Sequence, residues 1–587
     1  MALGTPSESP AVVVKEIDLT GGVPNVQSTT GAIVGNFRWG PVAQRVLVDN
    51  EATLVDNFAT PDSANTIDFH SAQYFLRYSS ALQVVREATS AAKNSRSIIG
   101  QTAADSDGSL PTPTVKNETD FNSQLSTLTS NSHTFVAKYP GDLGNSIRVS
   151  ICPADSSSAT TFSGWAYQNN FDKAPLTSTY ASNRAATFDE MHAVVIDQEG
   201  KFTGTKGTVL ETFPFVSVGK DAKNPDGTNN FAKDVINERS EYVWMTGFDA
   251  SFIAAGAGTD IDSGDSFKLT SPTTSDHTFT KGVNSPALTT SEFLSGFDLF
   301  EDENQVEVDF LIAPGMTNST DQATVVNDLV STAQSLRKDC IVLASPARND
   351  VVNVSSAATA VTNVVATANT FTNSSYLVAD NNYLKVYDKY NDQYIHIPAA
   401  SSTAGICAAT DLERAPWFSP AGQRRGNYLG ITGLAYTPNK SQRDTLYKAD
   451  VNPIANIPGQ GTILYGDKTM LGRPSAFDRV NVRRLFLVLE RAIGRAAQQV
   501  LFEFNDEFTR AEFVNIVEPV LREVKGRRGI TDFRVVCDET NNTPAIVDRN
   551  EFIANIFIKP ARSINYVTLN FVAVRTGVDF EEVVGTV

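Results

Sequence analysis

Along this chain the spacing of apolar residues changes between two periods, and the changes mark out its elements. From Val306 short apolar runs alternate with stretches of helical spacing. Val308–Ala313, Cys340–Ala344, Tyr376–Ala379 and Leu384–Tyr387 read as strands, and Thr320–Lys338 and Asp350–Ala368 as helices. That order predicts an α/β layer with some parallel character. Nearer the start, Thr30–Trp39 reads as a strand turned by Gly40-Pro41, Asp68–Tyr78 as a helix rich in aromatic contacts, and Gln83–Arg86 as a buried strand. Phe135–Ile151 and Met191–Val218 are strand pairs punctuated by Tyr139-Pro140-Gly141, Gly144-Asn145 and Glu199-Gly200, and Asp226–Asn237 leads into a short helix. Residues 91–132 and 250–290 are rich in small polar residues and read as a linker or surface insertion and as outer loops.

The pattern is richest from Leu471 to Val587. Val482, Leu485, Phe486, Leu489, Ile493, Ala496, Val500 and Phe504 fall on one side of a predicted helix. Arg484, Arg491, Arg495 and Gln498 fall opposite, interleaved with Leu487, Val488 and Phe502. Arginines among apolar neighbours suit a docking surface, and a solvated back face is the plainer reading. A second helix follows, with Thr509 and Glu512 at capping-box spacing, Phe513, Ile516, Val517, Val520, Leu521 and Val524 on its apolar face, and Gly526 at its end. Pro519 is expected to bend or break it. The loop Lys525-Gly526-Arg527-Arg528-Gly529 is basic and expected to be exposed. Ile530–Cys537, Phe552–Lys559 and Ile564–Arg575 read as strands, and Phe580–Gly585 as a detached β-prone piece beyond Gly577. Ala11–Ile17 (AVVVKEI) is a second isolated strand, set off by Gly21-Gly22 and preceded by small polar residues 1–10 expected to be disordered. A lone strand at a chain end must pair with something.

At 587 residues the chain exceeds one core, and three or four domains are expected. The net charge of −18 argues against nucleic-acid binding. It is uneven: from Leu471 onward there are 16 basic and 16 acidic residues, so residues 1–470 carry the whole acidic excess. No apolar run approaches the roughly 20 residues that cross a bilayer, and the N-terminal residues carry no signal-peptide pattern, so no membrane insertion is expected. Cys152, Cys340, Cys407 and Cys537 lack metal-type pairing and read as free, mostly buried thiols in a reducing cytoplasm. No two of His70, His133, His192, His277 and His396 stand at metal-ligand spacing, and Gly204-Thr205-Lys206-Gly207-Thr208 lacks the spacing of a phosphate loop and reads as a turn. No catalytic residue, metal site or cofactor is therefore expected.

Four pieces in order carry a resemblance: SPAVVVKEIDLT; AKYPGDLGNSIRVSI; HAVVIDQEGKFTGTKGTVLETFPFVS with DAKNPDGTNNFAKDVIN; and PWFSPAGQRRG with GRPSAFDRVNVRRLFLVLERAI. Over nearly its full length the chain resembles the contractile tail sheath proteins of T-even-like bacteriophages. The resemblance implies an α+β multidomain structural subunit that stacks with itself as hexameric rings in a helix around a tail tube, contracting to drive the tube through the host envelope for genome ejection. It implies no enzyme and no nucleic-acid partner; the partners would be further copies, the tail tube protein, and baseplate and tail terminator proteins. Assembly would take place in the host cytoplasm. Carried onto this sequence, residues 1–22 would form an N-terminal arm and 577–587 a C-terminal arm. Residues 23–95 and 300–465 would form a discontinuous α/β domain, 96–190 and 191–299 two β-rich outward insertions, and 466–576 an assembly domain facing the tube. Val12, Val13, Val14 and Ile17, with Glu581, Val583 and Val584, would add strands to a neighbour's sheet. Ile556, Ile558, Val567, Leu569 and Phe571 would receive them, with Gly21, Gly22 and Gly577 as hinges. Charge alone selects Arg484, Arg491, Arg495, Lys525, Arg527 and Arg528 as the tube-facing surface. Sheaths of phage-derived contractile injection systems share the C-terminal pattern, and a capsid or adhesin protein is the other structural alternative.

Overall fold

Strand residues buried on both faces need helices on both sides, and the largest sheet of this protein is built that way. The computed structural model describes residues 29–98, 112–130, 133–154, 158–248, 256–267 and 275–563. They fall into two compact units. The larger covers Val26–Pro416 and Pro420–Val488; the smaller takes in Trp417–Ser419 and the chain from Leu489. The Ala11–Ile17 strand and residues 1–10 lie outside the described residues, as does the Phe580–Gly585 piece.

The larger unit is organised on a six-stranded sheet in the order Leu377–Ala379, Ile341–Ala344, Phe310–Ile312, Gly31–Gly35, Leu82–Arg86, Arg45–Val48. Every neighbouring pair is parallel except the last, an antiparallel edge strand. Side chains alternate between the faces. Ala32, Val34, Leu311 and Val342 pack against the helices Thr290–Asp298, Ser319–Ser331 and Ala357–Ala368. Ile33, Val84, Phe310 and Leu343 pack against Thr66–Leu76 and Ala400–Glu413. Gly31 has to be glycine, because a Cβ there would lie 2.7 Å from the Phe75 ring.

Two antiparallel sheets come from the stretch between the two halves of the central sheet. One has the order Ser275–Thr278, Ile147–Pro153, Glu190–Asp197, Thr208–Ser217; the other joins Arg96–Ile98, His133–Ala137 and Val243–Met245. The Glu199-Gly200 turn is held by Asp197, whose carboxylate accepts from the Lys201, Phe202 and Thr203 amides at 2.9–3.0 Å. The 204–207 segment is a turn with Gly204 and Gly207 at φ 79° and 78°, and Thr208 begins the next strand.

Several elements differ from the sequence expectation. The Asp350–Ala368 helix is two helices, Arg348–Val351 and Ala357–Ala368, because Ser356 caps the second by accepting from the Thr359 amide. The Thr320–Lys338 helix finishes as a π-helical turn, Thr332–Arg337, ended by Lys338 at φ 63°. Residues 91–132 include the helix Glu118–Ser130, with Phe121 stacked on Trp244 at 4.4 Å.

Asp380 follows the edge strand Leu377–Ala379 and is buried. Its carboxyl accepts from Ser345 Oγ at 3.0 Å and from the Asn382 amide at 3.2 Å, and burial pushes it up to about 7. A folded-state value above the unfolded one gives stability that is complete at low pH and lost as pH rises toward 7. Asp380→Asn should remove this component. The variant should match wild type near pH 4 and exceed it by roughly 2–4 kcal/mol at pH 8. Urea unfolding at several pH values checks it; parallel curves would show that Asp380 titrates normally.

Candidate assembly interface

The helix Val480–Gln498 has no solvent face in its first turns. Val480, Asn481, Val482, Arg483, Arg484, Leu485 and Leu487 are all buried, and Val480 and Leu487 belong to the core under the central sheet. Arg484 is therefore corrected from a tube-facing residue to an interior one. Its guanidinium pairs with the buried Asp411 carboxylate, donates to the Cys407 carbonyl at 3.2 Å and lies 5.2 Å from the Phe310 ring centroid. Burial lowers the affinity of Arg484 for its proton, and the Asp411 carboxylate more than restores it. The spacing alone could not show this: where a helix is enclosed on every side, an arginine opposite the apolar stripe is as buried as the stripe. Arg491 and Arg495, further along, are half-buried.

The predicted apolar stripe outruns the helix. The helix stops at Gln498, and Leu501, Phe502, Phe504 and Phe508 stand 61%, 105%, 83% and 77% exposed in the connection that follows and the start of the next helix. Phe504, expected on the core face, is in solvent because the periodicity carrying it inward ends six residues earlier. The next helix is Glu507–Gly526. Its cap is Asp506, whose side chain accepts from the Thr509 amide at 2.9 Å, not the expected Thr509. It runs unbroken through Pro519, so of the expected bend or break the break does not occur. Phe513, Val517, Leu521 and Val524 are buried on both sides of Pro519, while Asn515, whose carbonyl loses its helical partner, is exposed to water.

Lys525, Gly526, Arg527 and Arg528 of the basic loop are exposed as expected, and Gly529 is buried. Lys525 pairs with Asp532 at 3.0 Å, Arg527 with Glu523 at 3.5 Å, and Arg528 holds a left-handed φ of 67°. The Arg527 guanidinium lies over Trp417, whose ring nitrogen donates to the Arg527 carbonyl at 3.1 Å. Gly529 is required here, since a Cβ would meet Val524 at 2.7 Å and Trp417 at 3.0 Å. The chain then forms a two-stranded antiparallel sheet, Ile530–Val536 with Asn555–Pro560, pairing Val535 with Ile556 and Phe533 with Ile558. Ile556 and Ile558 are half-buried on one face, and Phe557 projects from the other. Neither strand has a further neighbour among the described residues. Val567, Leu569 and Phe571 lie outside the described residues, as do the arm residues Val12, Val13, Val14, Ile17, Glu581, Val583 and Val584 and the hinges Gly21, Gly22 and Gly577.

The phage tail sheath protein central domain matches residues 287–470, and the phage tail sheath C-terminal domain matches residues 473–573. The tail sheath protein of Enterobacteria phage T4 is 32% identical, over 98% of this chain and 99% of its own. The chain belongs to the phage tail sheath family. That of Vibrio phage KVP40 is 30% identical over the same shares, 98% and 99%. The crystal structure of the sheath tail protein of Listeria innocua shares the fold, with a TM-score of 0.54 over 92% of this chain and 93% of its own at 11% identity.

The chain is thus a structural subunit of a contractile phage tail sheath, of mixed α/β multidomain construction. In this sheath subunit the four cysteines are buried free thiols, and burial pushes Cys407 up to about 11. Among the described residues no cluster of His, Cys, Asp or Glu is arranged to hold a metal ion, and no helix is long and apolar enough to cross a membrane. His192 is held in the interior by the Phe215 amide, which donates to Nδ1 at 3.1 Å, and by Nε2 donating to the Lys173 carbonyl at 2.9 Å, with Phe171 stacked on the ring at 4.2 Å.

Removing one partner of a buried ion pair leaves the other charged and unsolvated. Arg484→Ala should therefore destabilise the subunit by roughly 3–5 kcal/mol, whereas Arg528→Ala should change stability by less than about 0.5 kcal/mol. Denaturant midpoints separate the two; equal effects would contradict the interior assignment of Arg484.

Proposed function

We propose that copies of this chain polymerise as stacked hexameric rings, in a helix around a tail tube, and contract to drive the tube through the host envelope for genome ejection. The observation that carries the reading is the small sheet Ile530–Val536/Asn555–Pro560, whose strands lack further neighbours among the described residues. A two-stranded sheet is marginal alone, and an open edge is a template for an added strand. The β-prone sequences Val12–Ile17 and Glu581–Val584 are suitable strands to add, supplied by neighbouring copies. Backbone pairing across glycine hinges keeps copies attached while they rotate, so the mesh survives contraction. Arg491, Arg495, Lys525, Arg527 and Arg528 form the surface toward the tube. Exposed ion pairs there contribute about 0–1 kcal/mol each, so many repeats hold the extended state yet each contact breaks readily. Baseplate and tail terminator proteins bound the polymer at its ends, and assembly takes place in the host cytoplasm. No nucleotide enters, because contraction releases a kinetically trapped state.

Negative-stain microscopy of the purified chain should show long hollow cylinders, and deletion of residues 1–20 should leave soluble, folded subunits that form none. Cylinders from the truncated chain would refute the role of the N-terminal arm. Replacing Arg527 and Arg528 by Glu should leave the fold intact and abolish assembly on a tube; normal assembly would refute the charge assignment.

A further inference from the structure

The connection between the two C-terminal helices is shaped to be covered. Leu501, Phe502, Phe504 and Phe508 are its exposed apolar side chains, and Phe502 holds a left-handed φ of 73°, a conformation that costs a bulky residue strain. The segment is nonetheless fixed. Arg510, itself buried, donates from Nη1 to the Asn505 carbonyl at 3.3 Å and to its side-chain oxygen at 3.0 Å, and the Asn505 amide donates to the Glu551 carbonyl at 2.7 Å. Asp506 caps the helix, and the Thr509 amide it accepts from holds its carboxyl below the ordinary range. A hydrogen-bonded, strained turn that presents three phenylalanines, close in sequence, to water is an interaction surface.

Its charge selects the partner. Between Gln499 and Phe508 stand Glu503, Asp506 and Glu507 and no basic residue. A tube that attracts Lys525, Arg527 and Arg528 repels this turn, so under the assembly reading above, on which this inference rests, the turn belongs to another surface. The chain carries a complement elsewhere. At the end of the helix Ala400–Glu413, Leu412 is 68% exposed and is followed by Arg414, and Arg414 and Arg424 lie within electrostatic reach of Arg425, with Glu413 the acidic group that acts on Arg425 there. Burial, and after it the positive charges of Arg414 and Arg424, push the Arg425 guanidinium down. Clustered like charges beside an exposed leucine suit an acidic, apolar occupant.

We infer that the Leu501–Phe508 turn of one copy docks on the Leu412, Arg414, Arg424 and Arg425 patch of a second copy, a head-to-tail contact. Because the two surfaces differ, the contact is heterologous and propagates, as a helical polymer needs. Every copy supplies one of each, so none is left over except at the ends.

The experiment uses full-length chains carrying two different tags. One carries Phe504→Cys and the other Arg424→Cys, and the native thiols are buried. Oxidation should give a disulfide between the tags, and none when Phe504→Cys is paired with a cysteine substitution at an unrelated exposed site such as Asp226. In parallel, Phe502→Ser/Phe504→Ser/Phe508→Ser should retain the wild-type melting temperature while raising the polymerisation threshold at least roughly tenfold. Glu503→Lys/Glu507→Lys should be as defective and be rescued by Arg414→Glu/Arg424→Glu. Wild-type cylinders with no cross-link, or with an undiminished serine variant, would overturn this contact and leave the sheath reading standing. A wild-type chain that never polymerises would overturn both.

Discussion

A pair of β-strands gains too little from its own hydrogen bonds to stand alone in water, and the pair in the smaller unit of this protein has a helix packed on it but no third strand among the described residues. Ile556 and Ile558 turn one face inward, and the helix Glu507–Gly526 brings Phe513, Val517, Leu521 and Val524 into its unit's core. The helix supports the ribbon without supplying another strand. Among the described residues neither strand has a further neighbour, and the proposed assembly uses those edges for backbone pairing between copies. Backbone pairing depends little on side-chain identity and tolerates rotation, the combination a contractile polymer requires.

A part that transmits force needs a rigid interior, and the larger unit supplies one. Its parallel sheet is covered on both faces, and the beginning of the helix Val480–Gln498 is buried in that covering, with Arg484 neutralised by Asp411. An arginine at this position is a fixing point: it satisfies a main-chain carbonyl and a carboxylate together, which a hydrophobic replacement would leave unpaired.

The legible features of the sequence were those with strong local signals. The runs around Phe310, Ile341 and Leu377 are legible as strands because they are short, rich in β-branched and aliphatic residues and bounded by turn residues, as strands of a sheet covered on both sides are. Gly526 ends its helix as its position suggested. The features that misled share one cause, the assumption that a period continues and that its opposite face is wet. Arg484 sits opposite the stripe and is buried, because a second layer of protein covers that side. Phe504 continues the stripe and is exposed, because the helix has already ended at Gln498. Thr509 has the spacing of a cap, yet Asp506 takes that place three residues sooner and moves the whole N-terminus. The exposed phenylalanines of the 501–508 turn had a visible signal after all: apolar residues alternating with Glu503, Asp506 and Glu507, a pattern that serves neither a core nor a plain loop.

The claim that subunits complete one another's sheets is tested most directly by amide hydrogen exchange across Ile530–Val536 and Asn555–Pro560, in free subunits and in assembled cylinders. The account predicts that amides at the open edges exchange within seconds in the free subunit and slow by roughly a hundredfold or more on assembly. Protection that is already complete in the free subunit, or that does not change when cylinders form, would contradict it.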